Sequence, residues 1–188
     1  MQRYFLFDPD SCFGCYGCIA ACINANRLSG QQHWRKVLKL PPHSGRSDTL
    51  FLSLACNHCD HPACVKACPN NAMIKRKEDG VVLHLSDRCM GCRYCQMACP
   101  YDAIIWMEEK KIVGKCQLCV ERLDQNSVPA CVETCFGKAL SLQNRDNSVE
   151  ESGEDRETTG FVHHSAVKPN IRFKKFNRKK GNNKEYEK

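Results

Sequence analysis

The chain has 188 residues, a formal charge of +7, 42% apolar residues with the cysteines counted among them, and a mean hydropathy of -0.51. Its 16 cysteines allow a disulfide scaffold, a set of zinc sites or iron–sulfur clusters, and they leave few side chains for a conventional apolar core. No run approaches the roughly 18 apolar residues of a membrane span, and no Gly-x-Gly-x-x-Gly loop, Walker loop or histidine triad marks a catalytic centre.

Met1 to Asp8 reads as a strand with no apolar h-region behind it, so it is not a secretory signal. Work outside the cytoplasm would then depend on a partner's signal. The first cysteine group follows at once: Cys12, Cys15, Cys18 and Cys22. Residues 24–55 form an insert long enough for a strand pair, Trp34 to Leu40 and Thr49 to Leu54, joined by the turn-rich Pro41 to Asp48. The insert is expected to cover a metal site and add sheet, with a partner contact as a further role.

Group two is Cys56, Cys59, Cys64 and Cys68, closed by Pro69. Ala72 to Leu85 has the form of a hairpin turning at Glu78-Asp79-Gly80. Group three is Cys89, Cys92, Cys95 and Cys99, closed by Pro100, and a second hairpin is expected over Ala103 to Val113. Group four is Cys116, Cys119, Cys131 and Cys135, with a long excursion from Val120 to Ala130. Every group opens with C-x2-C and closes with C-x3-C, an internal repeat. The last cysteine of each group is expected in a short helix, which proline ends after Cys68 and Cys99. Ile23 and Phe136 stand at that place in groups one and four, so those exits should be made differently. Asn144 to Gly160 reads as a mobile acidic loop. Lys168 to Lys180 reads as a basic arm laid along the body or along a partner.

Zinc fits poorly, because two C-x2-C knuckles leave the third cysteine of groups one and three without a role. A disulfide framework needs an oxidising compartment and geometry that thiols crowded at x2 and x3 intervals do not offer. In C-x2-C-x2-C, successive side chains wrap three corners of a cube while backbone amides turn inward. The fourth cysteine points away from that cube. Four oxidised cubes, each of net charge minus two with its thiolates, would bring the +7 balance to about -1, so the basic excess offsets buried inorganic charge and a nucleic-acid partner is not implied.

The pattern resembles the bacterial two-cluster ferredoxins, in which each group lends its last cysteine to the neighbouring cluster. The resemblance implies an α+β fold of two pseudo-twofold ferredoxin-like units, one inserted in the other, with short helices, β-hairpins and an extended tail. Residues 1–23 and 103–142 would form the outer unit, 24–55 the insert, 56–102 the inner unit, and 143–188 the acidic loop and basic arm. Its ligand sets would be cluster A (Cys12, Cys15, Cys18, Cys135), cluster B (Cys22, Cys116, Cys119, Cys131), cluster C (Cys56, Cys59, Cys64, Cys99) and cluster D (Cys68, Cys89, Cys92, Cys95). His58 and His61, between ligands of group two, are candidates for hydrogen bonds that tune a cluster, or else packing residues. Lys75, Lys77, Arg88, Arg93 and Lys115 lie near the loops and would raise potentials if they face sulfur. Trp34 and Trp106 read as packing residues.

More specifically, the chain resembles the four-cluster electron-transfer subunits of molybdopterin oxidoreductases of the dimethyl sulfoxide reductase type. The residues that carry this are Tyr4-Phe-Leu-Phe-Asp8, Cys56-Asn-His-Cys59-Asp-His-Pro-Ala-Cys64-Val-Lys-Ala-Cys68-Pro69, Asp79-Gly-Val81, Cys92-Arg-Tyr-Cys95, Lys115-Cys116 and, less specifically, Lys168-Pro-Asn-Ile171. Phe136-Gly137 departs from the proline that the family usually has there. The resemblance implies a non-catalytic subunit of an oxidoreductase complex of anaerobic respiration, relaying single electrons through four [4Fe–4S] clusters. It would sit between a large subunit holding molybdenum or tungsten and a membrane anchor that handles quinone. The complex would be membrane-associated and on the periplasmic side by co-export, with a cytoplasmic place as the alternative. A freestanding polyferredoxin carrier is the competing function.

Overall fold

The computed structural model describes residues 2–29, 32–41, 49–145 and 154–175. The opening residues form β1 (Gln2–Phe7), which buries Tyr4, Phe5, Leu6 and Phe7. It runs antiparallel to β8 (Leu140–Arg145), with Phe7 opposite Leu140 and Gln2 opposite Arg145. The start of the chain is thereby fixed to the segment that follows group four.

The insert makes the expected antiparallel pair, β2 (Lys36–Leu40) with β3 (Leu50–Leu54), and residues 42–48 of its turn lie outside the described residues. β3 is the buried strand of the two. The two hairpins are β4 (Met73–Lys75) with β5 (Val82–His84), and β6 (Ile104–Met107) with β7 (Ile112–Lys115). The first hairpin turns through Gly80 at φ +70°, where a Cβ would stand 1.8 Å from Gln2 Oε1. Glycine alone fits, because Arg3 N donates to Asp79 O at 2.9 Å and holds this turn against β1.

Among the described residues five short α-helices carry or flank the cysteines, α1 (Gly17–Ala25), α2 (Ala63–Lys66), α3 (Tyr94–Met97), α4 (Val120–Asp124) and α5 (Ala130–Glu133), and a 3-10 turn over Ser86–Arg88 leads into Cys89. α1 packs on α5 and α2 packs on α3. Cys22 lies inside α1 as expected, but Cys68, Cys99 and Cys135 follow the ends of α2, α3 and α5. Their amides donate to Val65, Gln96 and Val132 at 3.3, 3.3 and 3.2 Å, the i to i+3 bond that tightens a last turn. Three residues after each, Asn71, Asp102 and Lys138 take φ of +48°, +47° and +52° and turn the chain away.

Group four therefore leaves its helix as groups two and three do, although Phe136 replaces their proline. The expectation of a different exit is corrected there, because the left-handed residue does the turning and proline only excludes further helix. Group one does differ, since α1 runs on to Ala25 and the left-handed turn comes at Arg27.

The main core is built from Phe5, Phe7, Leu52, Val81, Leu118, Leu140, Ile171 and Phe173 together with Cys56, Cys116 and Cys131. A second, smaller one joins Met73, Ile104 and Val113 around Cys95. Thiols thus sit inside the apolar packing, as the composition required.

The tail completes the sheet in the order β8-β1-β10-β9, with β10 (Arg172–Lys174) parallel to β1 and β9 (Glu154–Asp155) on its far edge. The acidic stretch is thus not a loop throughout. Residues 146–153 lie outside the described residues, but Glu154–Asp155 is paired and Thr158 bridges to Phe161. The apolar residue that ends this stretch is responsible: Phe161 stacks on Tyr101 and meets Phe173, both at 5.1 Å. The basic arm lies along the body, and its residues from Phe176 onward are outside the described set.

Lys168-Pro-Asn-Ile171 straps the loop of group two. Asp60 N and His61 N donate to Lys168 O and Val167 O at 2.8 and 3.0 Å, and Asn170 N donates to Asn57 O at 3.0 Å. The buried Asn170 side chain donates to His58 O at 2.8 Å and Asp60 Oδ1 at 2.9 Å. Asn170→Ala removes these donors, and an unmet buried acceptor costs about 1–3 kcal/mol. The unfolding midpoint, followed by circular dichroism, is expected to fall by several degrees. An unchanged midpoint would show that water replaces the strap.

Candidate functional site

In all four groups the residue before the second cysteine has a left-handed backbone: Gly14 at φ +72°, His58 at +45°, Gly91 at +73° and Leu118 at +57°. A left-handed residue at this place redirects the amides that flank it, as in an anion-holding nest, and in group four Cys119 is left-handed as well. Glycine takes this conformation freely in groups one and three, whereas buried side chains hold it in groups two and four.

Cysteines from different groups meet. Cys56, Cys59, Cys64 and Cys99 line one cavity with Tyr101, Ile104 and Val167. Cys68, Cys89, Cys92 and Cys95 line another with Met73, His84 and Val113. Each cavity takes three thiols from one group and the last thiol of the other.

The electrostatic environment follows the same grouping. Burial, then the charges of Cys56, Cys64 and Cys99, push the Cys59 thiol up to about 12. Burial, then Cys68, Cys89 and Cys92, push Cys95 up to about 11. For groups one and four, burial raises Cys12, with further upward pressure from Cys18, Cys135 and Cys15. Burial raises Cys22 to about 11, with Cys131 and Cys119 adding to it and Arg35 opposing. Burial also drives Cys116 far up, with Cys22 and Cys131 among the causes.

Other influences join thiols that the sequence reading assigns to different sets: Cys18 acts on Cys22, Cys56 on Cys116, and Cys95 on Cys64. Thiols held this high stay protonated at neutral pH unless a cation takes the proton's place.

The donor set is sulfur alone, and it comes supplied with hydrogen bonds. Ala72 N donates to Cys68 Sγ at 3.2 Å and Leu118 N to Cys116 Sγ at 3.4 Å. Ser53 Oγ meets Cys18 Sγ at 3.3 Å and Asn26 Nδ2 reaches Cys22 Sγ at 3.6 Å. Among the described residues no three His, Cys, Asp or Glu side chains converge tightly enough to close on a single metal ion. Four sulfurs around a cavity, with amides turned toward them, fit iron–sulfur clusters.

His58 and His61 part company. His58 is buried and accepts from Val82 N at Nδ1 at 3.0 Å, which leaves its proton on Nε2, a buried atom with no partner among the described residues. Burial, with Lys115 and Lys75 nearby, holds it well below the usual histidine range, so it is neutral. His61 is exposed in an open groove beside Lys75 and Arg145.

The basic candidates also divide. Lys115 is 1% exposed and donates to Cys116 O at 2.8 Å and to Val82 O. Lys75 donates to Cys59 O and Gly80 O, both at 2.9 Å. Arg93 covers the Trp106 ring at 3.7 Å, while Lys77 and Arg88 are exposed. Trp34 packs over Gly114, as a core-covering residue should.

Sequence reasoning misses Arg35 and Ser53, which the insert delivers to the thiols. Arg35 is 1% exposed and donates from Nη1 to Ser53 Oγ at 3.0 Å. Nothing in the alternation of Trp34 to Leu40 distinguishes Arg35 from Lys36 or Lys39. Its place beside a tryptophan at the start of an expected strand is the only signal.

Comparison with known proteins agrees with this chemistry. Residues 47–145 match the 4Fe-4S dicluster domain family. The chain is similar to an anaerobic dimethyl sulfoxide reductase chain of Escherichia coli strain K12, at 36% identity over 182 residues that cover 92% of this chain and 88% of that one. It is 31% identical over 208 residues to the iron-sulfur subunit of a putative dimethyl sulfoxide reductase of Halobacterium salinarum, covering 92% of this chain and 79% of the other. A tetrathionate reductase subunit of Salmonella typhimurium is 40% identical over 142 residues, 73% of this chain and 56% of that subunit.

The small sheets, short helices and sulfur-lined loops make a ferredoxin-like α+β domain, and no described helix is long and apolar enough to cross a membrane. With sequence match, fold and thiol arrangement in agreement, the chain belongs to the iron–sulfur electron-transfer subunits of molybdopterin oxidoreductases of the dimethyl sulfoxide reductase type, which have no catalytic site of their own.

Proposed function

We propose that the sixteen cysteines hold four [4Fe–4S] clusters with the ligand sets A, B, C and D given above, in two nested ferredoxin-like units. The observation that carries this is the pair of cavities in which Cys99 joins Cys56, Cys59 and Cys64, and Cys68 joins Cys89, Cys92 and Cys95. Packing of α1 on α5 and of α2 on α3 supports the same pairing of groups one with four and two with three. The division at residues 1–23 and 103–142, 24–55, 56–102 and 143–188 follows from it, with the tail an integral part of the outer unit's sheet.

Bound there, the cubes supply one-electron centres, and the chain relays single electrons between a membrane subunit that handles quinone and a molybdopterin catalytic subunit. The influences of Cys18 on Cys22, Cys56 on Cys116 and Cys95 on Cys64 support the order A, B, C, D. His58, neutral with Nε2–H unspent, is suited to donate toward the sulfur of cluster C. His61 is a surface residue with no such task.

Exposed apolar side chains at two separate places favour a stable subunit over a freestanding carrier. Phe13, Tyr16 and Phe136 surround group one's loop and the end of group four, and Met90, Tyr94 and Met97 surround group three. The first would face the catalytic subunit and the second the membrane anchor. Relatives named for dimethyl sulfoxide and tetrathionate reduction support a sulfoxide or oxyanion reductase as the complex, placed on the periplasmic side if the catalytic subunit carries the export signal.

Anaerobic purification of the native protein is expected to give co-elution with a large molybdopterin-containing chain and about sixteen irons per copy of this one, four per cube. A chain eluting alone at its 21.4 kDa would make it a free carrier. About eight irons or fewer would overturn the four-cluster assignment.

A further inference from the structure

The guanidinium of Arg35 is buried with no carboxylate partner among the described residues, and its Nε and Nη2 have no hydrogen-bond acceptor. Such a charge is not left uncompensated in a protein interior. Two contacts hold it, and a third ties its partner Ser53 to a thiol. Nη1 donates to Ser53 Oγ at 3.0 Å, Ser53 Oγ meets Cys18 Sγ at 3.3 Å, and the guanidinium lies 4.6 Å from the centre of the Phe5 ring. Burial works against its charge, while Cys131, Cys116, Cys18 and Cys22 favour it, three from one proposed ligand set and one from its neighbour; Arg35 acts in turn on Cys119 and on His58.

We propose that Arg35 is a positioning residue that sets the reduction potential of cluster B: its buried positive charge and the unspent protons on Nε and Nη2 are available to that cluster's sulfur, while Nη1 reaches Cys18 of cluster A through Ser53. This rests on the four-cluster reading. Reduction adds one negative charge to a cube, and a buried cation beside it favours that state. Hydrogen bonds from Nε and Nη2 to sulfur act in the same direction. The insert between groups one and two thus does more than cover surface. It carries a counter-charge to the point where the outer unit's two clusters meet. Lys115, beside Cys116, instead gives two of its three ammonium protons to carbonyl oxygens, those of Val82 and Cys116.

The test is a redox titration followed by electron paramagnetic resonance on the intact, anaerobically purified complex, comparing wild type with Arg35→Gln and Arg35→Lys. In Arg35→Gln one midpoint is expected to fall, with the reduced-to-oxidised ratio at the wild-type midpoint dropping about tenfold, or about 59 mV for one electron. A second midpoint should move less and two should stay. Arg35→Lys keeps the charge and should recover most of the shift.

An unmoved set of midpoints, an equal fall in all of them, or the same fall in Arg35→Lys overturns the assignment. Should Arg35→Gln lose iron, the wild-type complex grown with ¹⁵N-arginine decides. Pulsed resonance of the reduced clusters must then show coupling to a guanidinium nitrogen, and its absence overturns the proposal. A wild-type complex with about eight irons sinks the four-cluster reading, whereas about sixteen irons and unmoved potentials sink this inference alone.

Discussion

Cys68→Ser is expected to abolish the cluster held by group three while the one held by Cys56, Cys59 and Cys64 survives. The reason lies in how group two ends. α2 stops at Lys66, and the i to i+3 bond from Cys68 N to Val65 O closes the last turn at 3.3 Å. Cys68 thereby lines the cavity of Cys89, Cys92 and Cys95, and not the cavity of its own group. Its sulfur already accepts from Ala72 N at 3.2 Å, so it is fixed for ligation from that side.

Serine is a poor ligand for iron, since its hydroxyl stays protonated where a thiol would ionise. Iron should fall from about sixteen to about twelve per chain, with one resonance signal lost and reduction of the complex by quinol abolished. Loss of the signal belonging to Cys56, Cys59 and Cys64, with group three's intact, would mean that each group closes its own cube.

Cysteine spacing makes the repeat and both hairpins legible because these are local. A C-x2-C loop, a Glu-Asp-Gly turn and alternating β-prone runs each carry their geometry within a few residues. What stays hidden depends on distant partners. Arg35 looks like any strand-flanking cation until the fold sets it against Ser53, 18 residues on, and exposes it to the charge of thiols from groups one and four. The Phe136 exit is misjudged from sequence because proline is conspicuous there, whereas a left-handed residue such as Lys138 is not.

The acidic stretch reads as a loop from its charge, yet Phe161 behind it anchors into the main core between Tyr101 and Phe173. His58 and His61 look equivalent between their cysteines. The strap from the tail separates them: Asn170 and Val82 close over His58, and His61 is left outside. Asp60 between them shows the strap's grip. Burial works against its charge, but hydrogen bonds from Asn170 and Arg145 hold its carboxyl below the usual range.

A charge placed at either apolar end should sever one partner and spare the other. Phe136 is 86% exposed, edge-on to Phe13 at 6.2 Å, at the end where Cys12 and Cys135 lie. Met97 is 73% exposed, on the helix that carries Cys95, with Met90 and Tyr94 beside it. Both side chains stand mostly in solvent, Phe136 keeping only its edge contact with Phe13, so Phe136→Glu and Met97→Glu should keep their iron and nearly all of their melting temperature.

In a docked complex each would force a carboxylate into an apolar contact. A substituted hot-spot residue costs about 2–4 kcal/mol, a weakening of about 30- to 1000-fold. Phe136→Glu is therefore expected to release the catalytic subunit while the anchor stays bound, with quinol still reducing this chain's clusters. Met97→Glu should do the converse: the catalytic subunit stays, and its substrate still oxidises clusters reduced with dithionite, but quinol no longer supplies electrons. Release of the same partner by both substitutions would show that the two apolar places belong to one interface, and the electron path would then have to enter and leave the chain elsewhere.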